Sequence, residues 1–216
     1  MKKRNEEIEI NVRRMKRTDS FTRVGNLIYD SDEYIYPDLF GEKKRDAMKI
    51  VRKLLNDPDS TFHWENYYVA TYGGRIIGIS AVHIKRIEWD SDAIRRTFSD
   101  LQMNTPRDFD LVCRAFEKTY GRDQSDNVKI RCVSVENAYQ RCGVGTKMLA
   151  KIMEDHPNEP MELCVLTSNG AAIKLYKKFK FVKNRGERLG YGGRVERKVS
   201  CQDMIKKGKK VTDDPV

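Results

Sequence analysis

One segment of the sequence, residues 133–148, limits the possible folds more than any other. Its letters are VSVENAYQRCGVGTKM: an apolar run that ends near Val135, a polar loop that closes with two glycines, and an apolar helical spacing from Val144. Glycines let a ligand approach the backbone because they have no side chain. The first amides of a helix have no partner within it and lie at the positive end of its dipole, which suits a pyrophosphate. The segment therefore predicts a strand, loop and helix that bind phosphate.

Three phosphate-binding patterns compete for this glycine loop. A P-loop requires GxxxxGK[ST], which residues 143–147 do not provide. A dinucleotide fingerprint requires GxGxxG, and Met148 stands where its third glycine would be. The pattern Q/R-x-x-G-x-G/A is met at each fixed position by Gln140, Gly143 and Gly145. A strand–loop–helix whose glycines serve only close packing is the alternative to all three.

A second segment, residues 169–181, follows the next predicted strand with the letters NGAAIKLYKKFKF. Together the two segments resemble the GCN5-related N-acetyltransferase (GNAT) superfamily, whose second motif is N-x-x-A-x-x-L-Y-x-x-x-G-F. Lys180 stands where this motif has glycine, which affects the turn into the next strand and not the chemistry. The resemblance covers about residues 128–181. The N-terminal half of the chain resembles the superfamily only in the order of its helices and strands and in a tyrosine-rich loop between the first two helices.

Hydrophobic periodicity predicts the order β-α-α-β-β-insertion-β-α-β-α-β-β. Hairpins pair antiparallel and each β-α-β crossover implies parallel neighbours, so we expect a mixed α/β (α+β) sheet flanked by helices. The resemblance implies the acyl-CoA N-acyltransferase fold. A chain of 216 residues suits one domain, predicted over residues 1–205 with a helical insertion at about 88–127. Residues 206–216 are expected to form a frayed basic tail.

Two boundaries are predicted more closely. Thr18 and Asp19 are candidates for the N-cap of the first helix. The final hairpin is expected over about residues 181–200, with its turn near Gly192 and Gly193.

Charge and composition exclude several classes of function. The net charge of +10 attracts nucleic acid, anionic lipid or a phosphorylated cofactor without choosing among them. The sequence lacks RNA-binding, helix-turn-helix and zinc-finger motifs, so no nucleic acid is expected.

The longest mostly apolar run, residues 76–84, is too short to cross a bilayer, so no membrane partner is expected either. The N-terminus has no secretory signal, which predicts a cytoplasmic protein. Five scattered cysteines and three isolated histidines indicate reduced thiols and no metal.

The resemblance implies a role for each residue of the two motifs. Backbone amides over residues 141–146 would hold the pyrophosphate of coenzyme A, and Asn169 would bond the pantetheine. An amide near Val135 would stabilise the oxyanion of the tetrahedral intermediate. Tyr176, the predicted catalytic residue, would protonate the departing thiolate, although a tyrosine that only packs in the core is the alternative. The residues expected to bind acetyl-CoA are Val133, Val135, Gln140, Arg141, Cys142, Gly143, Val144, Gly145, Thr146, Asn169 and Tyr176.

The tyrosine-rich loop, residues 29–41, is the candidate acceptor site. In enzymes that resemble this chain, the segment between the first two helices walls the acceptor pocket. Asp30, Asp32 and Glu33 would pair with a cationic amine, while Tyr34 and Tyr36 would pack against its body. A surface loop with buried tyrosines is an equally open interpretation.

The general base is not identified by the sequence. A lysine-like amine has a pKa of about 10.4, so freeing it near pH 7 costs roughly 4.6 kcal/mol. Some relatives have a glutamate in the strand before the glycine loop, where this chain has Lys129. The candidates that remain are Glu65, Glu88, Asp90 and Glu162.

The function predicted from the sequence is N-acetylation of a primary amine by direct attack in a ternary complex. Acetyl-CoA would be the donor substrate, and a small-molecule or peptide amine the acceptor. A homodimer is compatible with this interpretation. The alternatives are an acyl-CoA sensor on a degenerate acetyltransferase fold and a basic nucleic-acid-binding module.

Overall fold

The computed structural model describes residues 9–84, 91–120, 125–184, 188–190 and 199–208. Its strands are β1 (Asn11–Arg14), β2 (Tyr67–Tyr72), β3 (Arg75–His83), β4 (Val128–Val135), β5 (Met161–Leu166), β6 (Val182–Lys183), β7 (Arg188–Gly190) and β8 (Val199–Lys206). Its helices are α1 (Phe21–Tyr29), α2 (Ile35–Phe40), α3 (Lys44–Asn56), α4 (Ser91–Asp100), α5 (Phe109–Tyr120), α6 (Val144–Asp155) and α7 (Gly170–Lys178).

The strands form one sheet in the order β1-β2-β3-β4-β5-β8-β6, and β7 also pairs with β8. Strands β4 and β5 run parallel, because α6 connects them in a β-α-β crossover. The other pairs of described strands run antiparallel. The predicted fold class, a mixed sheet flanked by helices, is therefore confirmed.

The two faces of the sheet carry different helices. Tyr67 and Val69 of β2 pack into a core with side chains from α1 to α5. Tyr68, between them, points to the opposite face and packs into a core with side chains from α6 and α7. The tyrosine-rich loop thus lies on one face of the sheet, whereas both motif helices lie on the other.

Strands β4 and β5 pair over only three residues of each strand. The last pair joins Ile130 to Leu163, and no pairing follows although both strands continue. The sheet therefore opens at the carboxyl ends of these two parallel strands, which is where ligands bind in open α/β sheets.

A bulge in β4 lies beside this opening. Ile79 pairs with Ser134 and Ala81 pairs with Arg131, so two residues of β4 face one residue of β3. One of the two, Cys132, has φ +47°. A β-bulge leaves its extra residue without a partner in the ladder and bends the strand. Here the bulge closely follows Ile130, the last residue of β4 that pairs with β5.

The position of α6 depends on Gly78 of β3. A Cβ on Gly78 would lie 3.1 Å from Sδ of Met148 and 3.2 Å from Cγ1 of Val144. Because Gly78 has no side chain, the first turn of α6 packs directly on the sheet, next to the end of β4.

The first helix begins one residue later than the predicted N-cap. Ser20, rather than Thr18 or Asp19, caps α1, with its side chain accepting a hydrogen bond from the Arg23 amide. Asp19 instead forms two 2.7 Å hydrogen bonds with the Arg13 guanidinium. Because this bidentate pair occupies the Asp19 carboxylate, Asp19 does not cap α1 as the sequence predicted.

The C-terminal strand is longer than the predicted hairpin. Strand β8 continues to Lys206, which pairs with Met161, and a Cβ on Gly208 would lie 2.2 Å from the Asn158 carbonyl oxygen. The predicted turn at Gly192 and Gly193 and the tail from residue 209 lie outside the described residues.

Within the described ranges, no helix combines the length and the hydropathy that crossing a membrane requires. The His, Cys, Asp and Glu side chains that the structure describes form no group suited to a metal ion.

Candidate active site

A cavity of about 340 Å³ lies where β4 and β5 separate. Its volume falls near the lower end of the range typical of small-molecule sites. The walls come from the ends of β4 and β5, the start of α6, α7, the loop between α1 and α2, and α5. The predicted site residues among its described lining are Asp32, Tyr36, Val133, Val135, Gly145, Asn169 and Tyr176.

The N-terminus of α6 has the geometry that suits an anion, and Gly145 of its first turn lines the cavity. Gly143 occupies the N-cap position with φ +81°, a left-handed conformation that favours glycine. The first backbone bond of the helix runs from the Lys147 amide to the Gly143 carbonyl. Among the described residues, no side chain caps the helix, so the amides of residues 144–146 remain available to an anion.

The side chains of the glycine loop brace the loop itself. Gln140 donates 2.8 Å from Nε2 to Oδ1 of Asn137 and 3.2 Å to the Val135 carbonyl. Arg141, with φ +64°, and Cys142 are exposed and are not among the described lining residues of the cavity. The same holds for Gly143, Val144 and Thr146. Since the side chains of these residues do not line the cavity, the part of each residue that can contact an anion is its backbone amide.

Asn169 connects β5 to α7. Its Oδ1 accepts a 3.0 Å hydrogen bond from the Ala172 amide and so caps α7. The side chain also lines the cavity, and its NH₂ group has no partner among the described residues. This leaves one donor that can reach a ligand amide or carbonyl.

Tyr176 lies on α7 with its side chain in the cavity wall. Only 6% of the residue is exposed, and its ring packs edge-to-face on Phe181. None of the described residues exchanges a hydrogen bond with its hydroxyl. Burial, and to a smaller extent Cys164, raises the pKa of Tyr176 to about 12. The hydroxyl is therefore protonated at neutral pH, and no hydrogen bond to another described residue occupies it.

Asp32 is the one carboxylate among the described lining residues. Its Oδ1 accepts 2.9 Å hydrogen bonds from the amides of Tyr34 and Ile35, which fixes the carboxylate at the start of α2. Burial raises the pKa of Asp32, these two bonds oppose the rise, and Glu33 adds to it. A carboxylate of this kind binds an ammonium group and takes up a proton more readily than an exposed one.

A contact between Tyr36 and Cys132 joins the tyrosine-rich loop to the bulge in β4. The Tyr36 hydroxyl lies 2.6 Å from Sγ of Cys132, and the Tyr36 ring stacks on Phe40. Burial raises the pKa of the Cys132 thiol. Asp30, Glu33 and Tyr34, the other three residues predicted to contact the acceptor, are not among the described lining residues.

Of the four candidates for a general base, the two that the structure describes, Glu65 and Glu162, are not among the described lining residues of the cavity. Glu65 is exposed next to His63, and Glu162 accepts from Asn127 and lies 3.8 Å from Nζ of Lys129. Glu88 and Asp90 lie outside the described residues. Asp32 is the carboxylate that the structure places there instead.

Sequence reasoning did not single out several residues of the cavity, among them Cys132, Ala115 and Phe116. Cys132 lies in a bulge that no glycine marks in the sequence. Ala115 and Phe116 line the cavity from α5. Helical spacing predicts that Phe116 faces inward, but it does not tell which part of the fold α5 contacts.

The sequence matches the model of the acetyltransferase (GNAT) family over residues 28–181. This match covers more than half of the chain, and the fold and cavity are built from the same segments. The chain therefore belongs to the GNAT family of acetyltransferases. No curated protein matches it in sequence.

Solved structures agree with this assignment at the level of the fold. The chain is similar to an N-acetyltransferase from Staphylococcus aureus Mu50, with 18% identity, a TM-score of 0.58 and coverage of 91% of this chain and 100% of that one. The ribosomal-protein-S18-alanine N-acetyltransferase from Escherichia coli gives 14% identity, a TM-score of 0.54 and coverage of 96% and 99%. The yncA protein from Salmonella typhimurium was solved with its cofactor acetyl-CoA. It is similar with 16% identity, a TM-score of 0.52 and coverage of 96% of this chain and 98% of that one.

Proposed function

We propose that this chain is an N-acetyltransferase that moves the acetyl group of acetyl-CoA directly to a primary amine. The observation that carries the proposal is the opening between β4 and β5, with a free helix N-terminus at one end and Tyr176 in its wall. A phosphorylated donor with a long narrow arm fits such a groove. The solved yncA structure holds acetyl-CoA, which supports the choice of donor.

The donor would be held mainly by backbone. The amides of residues 144–146 would bind the pyrophosphate, and Gly143 leaves open space in front of them. The pantetheine arm would then lie between β4 and β5, along Val133 and Val135, with the Asn169 NH₂ group donating to it. An amide of the β4 bulge, which lacks a partner in the ladder, would polarise the thioester carbonyl.

The chemical step needs a proton donor and a proton acceptor. The amine nitrogen attacks the carbonyl carbon, and a tetrahedral intermediate forms with its oxyanion at the bulge amide. The C–S bond then breaks, and the thiolate takes the proton of the Tyr176 hydroxyl. The nitrogen, which carries an extra proton after its attack, releases that proton to water, and water restores the proton of the Tyr176 hydroxyl from the solvent side of the cavity. The products are free coenzyme A and the acetylated amine.

Asp32 would bind the acceptor as an ammonium and take its proton. Freeing an ordinary amine at neutral pH costs roughly 4.6 kcal/mol. A buried carboxylate with a raised pKa accepts a proton more readily than an exposed one, because its affinity for the proton is higher than usual. Tyr36 would pack against the body of the amine.

A location in the cytoplasm is part of the proposal. All five cysteines are free thiols in the structure, as in proteins from reducing compartments.

A panel of primary amines with acetyl-CoA, followed by detection of free thiol, tests the proposed function. Amine-dependent release of coenzyme A supports it. Binding of coenzyme A without turnover on any amine would indicate an acyl-CoA sensor instead. Salt-dependent binding of RNA without affinity for coenzyme A would indicate a nucleic-acid-binding module.

A further inference from the structure

Two helices, α4 and α5, lie between β3 and β4. They pack on the face of the sheet that carries α1, α2 and α3: α5 contacts α2, and α4 contacts α3. The insertion therefore covers the side of the cavity from which the tyrosine-rich loop presents Asp32.

Helix α5 is held firmly in this place. Phe109, Val112 and Cys113 are almost completely buried in the core shared with α1, α2 and α3. Phe109 packs edge-to-face on Phe98 of α4, and a 2.7 Å ion pair joins Arg95 to Asp110. Since its inner face belongs to the main core, α5 is a fixed wall and not a detachable cover.

The wall contributes specific side chains to the cavity. Ala115 and Phe116 line it from α5, while Ile35 and Tyr36 line it from α2 and Asp32 lies at the start of α2. The acceptor end thus combines one carboxylate with an apolar and aromatic surface, and Ser31, Arg131 and Cys132 add polar groups to the same lining. Such a surface suits a cation with an apolar body.

The volume limits what can enter. The cavity of about 340 Å³ extends from the tyrosine-rich loop to Asn169 and Tyr176. The pantetheine arm of the donor and the acceptor amine must therefore share this volume. Sites for small ligands begin at about 300 Å³. After the donor is bound, only a small part remains for the amine, and Ala115 and Phe116 of α5 form one wall of that part.

We propose that α5 makes this enzyme selective for small, free cationic amines with an apolar body, and that Phe116 sets the size limit. The inference rests on the proposed function, and it names the substrate class of the same site. An amine carried on the surface of a folded protein does not fit beside Phe116.

The test compares a small amine, n-butylamine, with a bulky one, 4-phenylbutylamine, and with the lysines of folded lysozyme. Wild type should acetylate n-butylamine best and lysozyme least. Phe116→Ala should raise the ratio of kcat/KM for the bulky over the small amine by about 10-fold or more, as expected when an apolar pocket gains several carbon volumes. Phe116→Trp should lower the same ratio, which keeps the test valid if the alanine variant folds poorly.

Leu111→Ala is the matched control, because Leu111 lies on the same helix but is 46% exposed. It should leave the ratio unchanged. Two results would overturn the size limit and leave the proposed function intact. One is a ratio of kcat/KM in folded Phe116→Ala and Phe116→Trp that equals the wild-type ratio. The other is a wild-type enzyme that acetylates lysozyme better than n-butylamine. Absence of turnover with every amine would overturn the proposed function, and this inference with it.

Discussion

A Cβ placed on Gly145 would lie 3.1 Å from Cδ2 of Leu175. Gly145 belongs to the first turn of α6, which carries the amides of the proposed anion site, and Leu175 precedes Tyr176 on α7. The close packing of these two residues sets the distance between the anion site and the tyrosine hydroxyl. The two sequence motifs are therefore joined by a direct contact and not only by their common family.

The first prediction concerns the open space at Gly143. Gly143→Leu should abolish the rise in melting temperature that acetyl-CoA causes in wild type, because the side chain would fill the approach to the helix amides. The measurement is thermal unfolding with and without acetyl-CoA.

Gly74→Leu is the control for backbone strain. Gly74 has φ +76° and open space around its Cβ position, much like Gly143 with φ +81°, but it lies in the turn between β2 and β3. Both variants should lose about 1–2 kcal/mol from the left-handed conformation. An equal response to acetyl-CoA in the two variants would remove the glycine loop from the donor site.

The second prediction concerns Tyr176. Tyr176→Phe keeps the packing on Phe181 and removes the proton donor, so kcat should fall by roughly 10²-fold. The melting temperature should change little, because no described residue bonds the hydroxyl. Unchanged kcat in the folded variant would leave water as the proton donor.

The third prediction concerns the acceptor carboxylate. Asp32→Asn should lower kcat/KM for the amine by about 10- to 100-fold, as expected for the loss of a charged hydrogen bond of ~1.5–3 kcal/mol. Affinity for coenzyme A, measured by calorimetry, should stay the same. The matched variant Asp30→Asn removes an exposed carboxylate that binds Lys44 outside the cavity. If both variants behave alike, Asp32 does not bind the acceptor.

The fourth prediction is a dependence of stability on pH. Burial, with Arg131 and Lys129 adding to it, lowers the pKa of His83 to about 3. Between this value and about 6.5, the unfolded chain binds a proton at His83 that the folded chain does not. Stability should therefore fall as pH decreases through this window, by up to about 1.4 kcal/mol per pH unit from this group. Urea unfolding of wild type and His83→Gln at pH 7 and pH 5 measures the effect, which the variant should lack.

The sequence predicts the parts of this site that depend on local spacing. The glycine loop before α6 and the order of strands follow from periodicity and from residues such as Gly143 and Gly145. The bulge at Cys132 does not, because the pairing of β3 with β4 imposes a positive φ on a residue without local preference for it. The cavity wall at Phe116 depends on which helices meet across the core, and helical spacing carries no information on that.

The direct transfer of the acetyl group is tested by initial rates with both substrates varied. An attack by the amine on bound acetyl-CoA requires a ternary complex, so double-reciprocal plots should intersect, and the mass of the protein incubated with acetyl-CoA alone should be unchanged. Cys132, Cys164 and Cys201 all line the cavity. Parallel lines, together with an added acetyl group on one of these cysteines, would show a covalent intermediate and contradict the account.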